Sequence, residues 1–497
     1  MTMKRRSFLK KGSSMMALAG SASVGLPIIP WLSKTAAAQD ASTPLPIPEL
    51  LENLDKSGET ATFAMDVRQG SVSFFRGKQT STLGYNDNFL GPTIRVRDGQ
   101  NFRLRLKNNL SETTTLHWHG LHVPANWDGG PRQPITAGTE WNPEFTIKQE
   151  AATLWYHPHA MGLTGSQVYK GLAGLFLIDD EVSDRLDIPK TYGVDDIPLV
   201  IQDRRFFNNG QFAYVQSMHD IINGVVGNYL LVNGALKPTL KVKKSLVRLR
   251  ILNGSNSSIY KVSFSDSRSF QVIASDGGFL ERPVKMNSIL LSAGERAEIL
   301  VDFADSKLRS EINLHVDQLQ GRRFNAMKIL ASELNDGKQT IPAALRQFDR
   351  IDESSSSHTR RFVMETMGGG GMGMMGRRGG GMMGSRLTIN GKRMNINRID
   401  ERIKAGTTEI WEISNRSGMM MSMPHSMHLH DVQFQILSRN GQPPQPHELG
   451  RKDTVLILPG EAVRIIIKFG DYKGVYMYHC HLLEHEDDGM MGQFEIV

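Results

Sequence analysis

The only cysteine of the 497-residue chain, Cys480, stands between two histidines in the run YHCHLLEHEDDGMM, from Tyr478 to Met491. His485 comes four residues after His481, and Met490 lies ten residues past the cysteine. A thiolate, an imidazole and a thioether on one short segment form a soft ligand set that suits copper. Two histidines, a cysteine and a long axial methionine make the electron-transfer geometry of that metal. The segment holds three of those four ligands, so a second histidine must come from elsewhere. Neighbouring side chains of an extended strand face opposite ways. If Cys480 faces one metal, His479 and His481 both face away from it, toward a different centre. The alternative is an inert buried thiol between two structural histidines.

The other histidines favour the metal reading. Four H-x-H pairs occur: His117/His119 in HWHG, His157/His159 in WYHPH, His428/His430 in HSMHLH and His479/His481 in HCH. Each pair puts two imidazoles on one face of an extended segment. A single pair is a common structural accident, whereas four pairs beside a Cys-His-Met set are not. Eight imidazoles suffice for two three-histidine metals and one two-histidine metal, and the left-over His425 completes the site of Cys480, His485 and Met490. Histidine is scarce in the middle block of the chain, 195–335, which holds only His219 and His315. The chemistry is therefore expected from the first and last parts, with the middle as spacer and scaffold.

The elements that would position these residues read as β-strands. Phe102-Arg103-Leu104-Arg105-Leu106 alternates apolar and charged side chains between turn-forming residues. LVRLRILNGS and AVRIIIKF repeat the pattern further on. Three blocks of comparable length, 45–182, 195–335 and 360–497, suggest three Greek-key sandwiches. The third contains a Met/Gly-rich insert, 364–384, expected to be a loop because its glycines disfavour helix and nothing in it builds a core.

Residues 1–38 read as an export signal. Arg5 and Arg6 open RRSFLK, an apolar stretch interrupted by glycine and proline follows, and Ala36-Ala37-Ala38 offers a cleavage site. The paired arginines resemble a twin-arginine signal, which implies a periplasmic product with no stable membrane anchor. This segment carries six of the 58 basic residues and no acidic one. Without it, 52 basic side chains face 51 acidic ones, a net charge of about +1. Nothing in that balance calls for a nucleic-acid partner.

HWHG, WYHPH, H-x-x-H-x-H and HCH-x₃-H-x₄-M, all present and in order, resemble the four copper signatures of the multicopper oxidases. The resemblance implies an all-β chain of three cupredoxin-like Greek-key β-sandwich domains holding four copper ions. His425, Cys480, His485 and Met490 would bind the type 1 copper. His117 and His428 would bind type 2, and His119, His157, His159, His430, His479 and His481 the type 3 pair. Electrons would pass from Cys480 to His479 and His481, and O2 would leave as water. Similar enzymes place proton-supplying acids at the positions of Asp128 and Glu486.

The Met-rich insert and HCHLLEHEDDGMM look most like bacterial copper-efflux oxidases, in which the donor is Cu(I). Thioethers select that ion, and Met364, Met367, Met421 and Met423 match a possible substrate-copper site, to which Glu365 could add an oxygen. Two departures stand against the match: a carboxylate of those relatives is replaced near Met421, and Arg377 and Arg378 oppose a cation. A laccase-like oxidase of phenols or of another metal is the alternative, and a non-catalytic cell-division relative with lost copper ligands is a third. The enzyme is expected to act as a monomer.

Overall fold

A computed structural model describes residues 43–497 except 307–309, 320, 333, 335, 338, 367–386 and 417–422. The expected export signal, most of the Met/Gly-rich insert, Met367 and Met421 lie outside the described residues. No helix among the described residues is long and apolar enough to cross a membrane.

The chain is all-β and forms three cupredoxin-like sandwiches in succession, built from six sheets in pairs. The same connection recurs in each. The opening strand runs parallel to a later strand of its own sheet: Thr60–Phe75 with Asn101–Asn108, Asp196–Arg204 with Leu246–Asn253, and Ser356–Thr366 with Thr408–Arg416. In the facing sheet a short strand runs parallel to the last strand of the block. These pairs are Ile94–Arg97 with Gly174–Asp179, Thr239–Val242 with Arg323–Ala331, and Glu401–Ile403 with Met491–Ile496.

Each pair of sheets closes on its own apolar core. Phe63, Leu104, Leu154 and Phe176 meet in the first, Leu199, Leu249, Leu314 and Ile329 in the second, and Phe362, Trp411, Met427 and Tyr478 in the third. Burying one such side chain is worth about 1.5–3 kcal/mol, so each sandwich has a source of stability independent of any metal.

The three similar runs hold different places. Asn101–Asn108 alternates exposed and buried residues, as expected. Leu246–Asn253 is buried at every position although its arginines suggest a wet face. Arg250 forks onto Asp196 at 2.7 and 2.8 Å, and Arg248 reaches Glu298 at 2.8 Å, so paired carboxylates replace water. Ala462–Lys468 is not the counterpart of either. It pairs antiparallel with Thr408–Arg416, which holds the equivalent position in the third block.

Candidate metal centres

Alternation along Gly474–Cys480 does what the sequence anticipates. Cys480 turns into the third core opposite Met427, while the rings of His479 and His481 turn together to the other side, 5.6 Å apart. On the cysteine side, His425 from the neighbouring strand His425–Leu429 and His485 from the short helix Leu483–Asp487 complete a triangle. Cys480 Sγ lies 3.5 Å from His425 Nδ1 and 3.6 Å from His485 Nδ1, and the two nitrogens are 3.3 Å apart. Donor atoms sharing one ion at ordinary metal–nitrogen and metal–sulfur lengths lie about 3–4 Å apart. Thr366 Oγ1 lies 3.1 Å from His425 Nε2, and His485 Nε2 donates to the Ile222 carbonyl at 2.9 Å, which fixes both rings. Met490 is buried beside them, its carbonyl accepting from the Cys480 N–H at 3.0 Å. Burial pushes the Cys480 thiol up to about 12. Its thiolate therefore needs a cation at the sulfur.

On the opposite side, strand pairing brings the four H-x-H segments into one place. His117 stands opposite His157 between His117–His119 and Ala152–His157, and His428 stands opposite His479 between the two third-block strands. Across the junction of first and third blocks the rings of His117 and His430 stack at 3.8 Å, and those of His119 and His428 at 3.7 Å. All eight are at most 1% exposed.

Six of the eight rings are tethered at one nitrogen, His479 through Nδ1 on the Cys480 carbonyl at 3.2 Å among them, and present the other inward. His117, His157 and His428 use Nδ1 on the carbonyls of Asp128, Pro158 and Asp453, leaving Nε2 without a partner. His119 is reversed: its Nε2 meets Asp453 Oδ1 and Thr454 Oγ1, both at 3.0 Å, and Nδ1 is left free. His430 Nδ1 meets Asp128 Oδ2 at 2.8 Å. The Glu486 carboxylate lies between His159 and His479, 3.2 Å from the Nδ1 of each, without hydrogen-bond alignment. The Nε2 atoms of His159 and His430 both point at His479 Nε2 from 3.2 Å. His481 has no partner at either nitrogen.

Burial, aided by the crowded neighbouring rings, lowers the basicity of these imidazoles, to about 4 for His117 and about 3 for His479. They are neutral, with lone pairs aimed at each other. Such an arrangement is costly without a cation and well suited to several, since buried unsatisfied polar groups cost about 1–3 kcal/mol each. Sets of three donors fall within 4.8 Å at His117/His428/His430, His159/His430/His479 and His117/His119/His157. The residues fit copper at both places.

Asp128 and Glu486 are both buried against the cluster, and burial raises the pKa of each well above the ordinary carboxylate value. Met364 stands differently. It is fully buried in the third core, paired with Ile389 across the strands, and does not fit a site that must receive copper from solvent. Glu365 is engaged with Arg416 at 3.0 Å, and Met423 is half-buried at the edge of the described chain.

Sequence reasoning missed Asp453, which touches His119 and His428, and Arg296 behind it. No local motif marks either. It also missed the Thr366 hydroxyl and the Ile222 carbonyl, which act through fold rather than residue pattern.

Models of the multicopper oxidase family match residues 66–183, 199–310 and 372–497. The multicopper oxidase mco of Staphylococcus aureus is 36% identical over 449 residues, 90% of this chain and 91% of that protein. The cell division protein FtsP of Escherichia coli is also 36% identical, over 99% of this chain and 98% of its own. Among solved structures, a laccase from Pediococcus acidilactici superposes with a TM-score of 0.82 at 37% identity, covering 92% of this chain and 94% of its own. With the fold, the paired donor sets and these similarities together, the chain belongs to the multicopper oxidase family.

Proposed function

We propose that the protein oxidises Cu(I) to Cu(II), one electron at a time, and passes four electrons and four protons to each O2 to give two waters. The observation that supports this reading is the completeness of the donor set: ten buried imidazoles, a buried thiol and Met490, with lone pairs converging at two places. In this reading His425, Cys480, His485 and Met490 hold a type 1 copper. His117 and His428 hold type 2, and His119, His157, His159, His430, His479 and His481 hold the type 3 pair. Bound there, the four copper ions supply the one-electron steps and the site of O2 reduction.

The chain's own residues do the rest. The peptide from His479 to His481 joins the two places through Cys480. Glu486, between His159 and His479, and Asp128, on His430, hold protons where burial favours their neutral forms. Residues 1–38 direct export to the periplasm, blocks 45–182, 195–335 and 360–497 are the three domains, and the mature protein works as a monomer.

Cu(I) as donor is supported by the other thioethers of 364–384 and by Met423, but not by Met364, which lies in the core. The similarity to a laccase favours phenols as a second reading. The similarity to a cell division protein favours a third, without turnover. Against that third reading stands the cost of burying so many unpartnered donors for no metal. Oxygen uptake with Cu(I), Fe(II) and a phenol, each with and without added copper, separates the three. The proposal expects the fastest uptake with Cu(I), and replacing Met367–Met383 by a Gly-Ser linker should slow that rate at low copper while sparing the phenol. A phenol rate above the Cu(I) rate would move the assignment to a laccase, and Cu(I) kinetics untouched by the replacement would make the insert a solvated linker with no part in donor binding. Copper-loaded protein without oxygen uptake would move it to the third reading.

A further inference from the structure

The middle block has almost no histidine, yet it reaches the eight-histidine cluster. Arg296 opens the strand Arg296–Asp302 and is fully buried. Its five N–H groups are all used, on all three blocks. Nε donates to the Thr153 carbonyl at 3.0 Å. Nη1 donates to the Gly294 carbonyl at 3.1 Å and to Asp453 Oδ1 at 2.8 Å. Nη2 donates to the Asp276 carbonyl at 3.0 Å and to Asp453 Oδ2 at 2.6 Å. Asp453 in turn meets His119 Nε2 through Oδ1, and its carbonyl accepts from His428 Nδ1. Thr454 Oγ1 donates to the same Oδ1 at 2.8 Å.

Two glycines show how closely this assembly is fitted. Gly120, the last residue of HWHG, has a φ of +87°, and a Cβ there would fall 2.3 Å from Asp453 Oδ2 and 2.7 Å from Arg296 Nη2. Gly294 has a φ of +86°, and a Cβ there would fall 2.9 Å from the His481 ring. The middle block therefore packs against both the tether of His119 and the ring of His481.

We propose that Arg296 is a positioning residue for the cluster: it holds Asp453 so that His119 is anchored at Nε2 and presents Nδ1 to metal, while His428 presents Nε2. The inference rests on the copper-loaded reading above. A bidentate guanidinium fixes both carboxylate oxygens, which a lysine ammonium does not reproduce. Loss of such an outer partner typically weakens metal retention about 10–100-fold. The Cys480 site shares none of these residues.

The test loads wild type, Arg296→Lys, Arg296→Met, Asp453→Asn, the Arg296→Met/Asp453→Asn double variant and Thr454→Val with copper. Each is then dialysed against a graded chelator while copper per chain and the blue absorption are followed. The Arg296 variants should lose cluster copper at about 10–100-fold lower chelator while the blue band persists. The double variant should retain copper no worse than Asp453→Asn, because Arg296 acts through that carboxylate. Thr454→Val, which removes only a hydroxyl, should show a few-fold loss and decides the matter alone if the Arg296 variants do not fold. Wild-type retention in Arg296→Lys or Thr454→Val overturns the proposal, as does equal loss of blue band and cluster copper. Wild-type protein that binds no copper would instead refute the copper-loaded reading, and copper-loaded wild type without oxygen uptake would refute only the oxidase reading.

Discussion

The two candidate copper places are built on opposite faces of one strand and in opposite ways. The Cys480 place takes all its expected ligands from the third sandwich, while the second block adds the Ile222 carbonyl on His485 and holds the helix of His485 through Asn256, Ser257 and Val225 on Glu484. The eight-histidine place takes four rings from the first block and four from the third, while Arg296 of the second supports it through Asp453. The ligands of one site come from a single core, and those of the other from an assembly. Damage to packing between blocks should therefore cost the cluster before it costs the blue site.

Cys480→Ser attacks the comparison from the first side. It removes the thiolate and leaves the four H-x-H pairs, so the blue band and turnover should vanish while cluster copper stays, as metal analysis with the optical spectrum would show. Loss of all copper would mean that the two places are not separable. Glu486→Gln comes next. It keeps shape and removes a proton-holding group between His159 and His479, so oxygen reduction should slow by about 10²-fold or more with the blue band unchanged. Unaltered turnover and pH profile would give the proton role to Asp128 or another acid.

Met364→Ala should lower unfolding free energy by about 2–5 kcal/mol, as for a large side chain cut from a core, and leave the Cu(I) Michaelis constant alone. The reverse pattern in denaturant melts and kinetics would restore Met364 as a substrate ligand.

The smallest effect concerns a junction between first and third blocks. His122 Nδ1 lies 2.7 Å from Asp431 Oδ1, its ring stacks on Tyr472 at 4.5 Å, and Asp471 lies 4.0 Å from Nε2. Burial works to lower the His122 pKa, but the Asp431 hydrogen bond and charge, with Asp471 beyond, raise it overall. A histidine with a raised folded pKa contributes its full stability below its unfolded pKa and loses it as pH rises through the folded one. His122→Gln should therefore cost about 1 kcal/mol at pH 5 and little at pH 9. Melts showing equal losses at both pH values would remove the charge argument.

Much of this was legible in the sequence because both sites lie on strands, where period-two alternation decides which way a side chain turns. Cys480 against His479 and His481 is the clearest case, and the H-x-H pairs follow the same rule. Tertiary partners were not legible. Leu246–Asn253 alternates like an exposed strand but is buried, because Asp196 and Glu298, distant in sequence, neutralise its arginines. Asp453 and Arg296 are ordinary charged residues until the fold sets them behind His119. Met364 looked like a soft ligand by resemblance to the copper-efflux oxidases, and only its place opposite Ile389 shows it as core. The glycine of HWHG was the one trace of the hidden pair, since its missing Cβ leaves room for Arg296 and Asp453.

The most direct test of the central claim is the copper content and optical spectrum of the full chain after reconstitution and removal of loosely held metal. Two separate places with these donor sets predict four coppers per chain and an intense blue band from the Cys480 thiolate. A colourless protein that retains no copper would contradict the account and leave a cupredoxin fold without its chemistry.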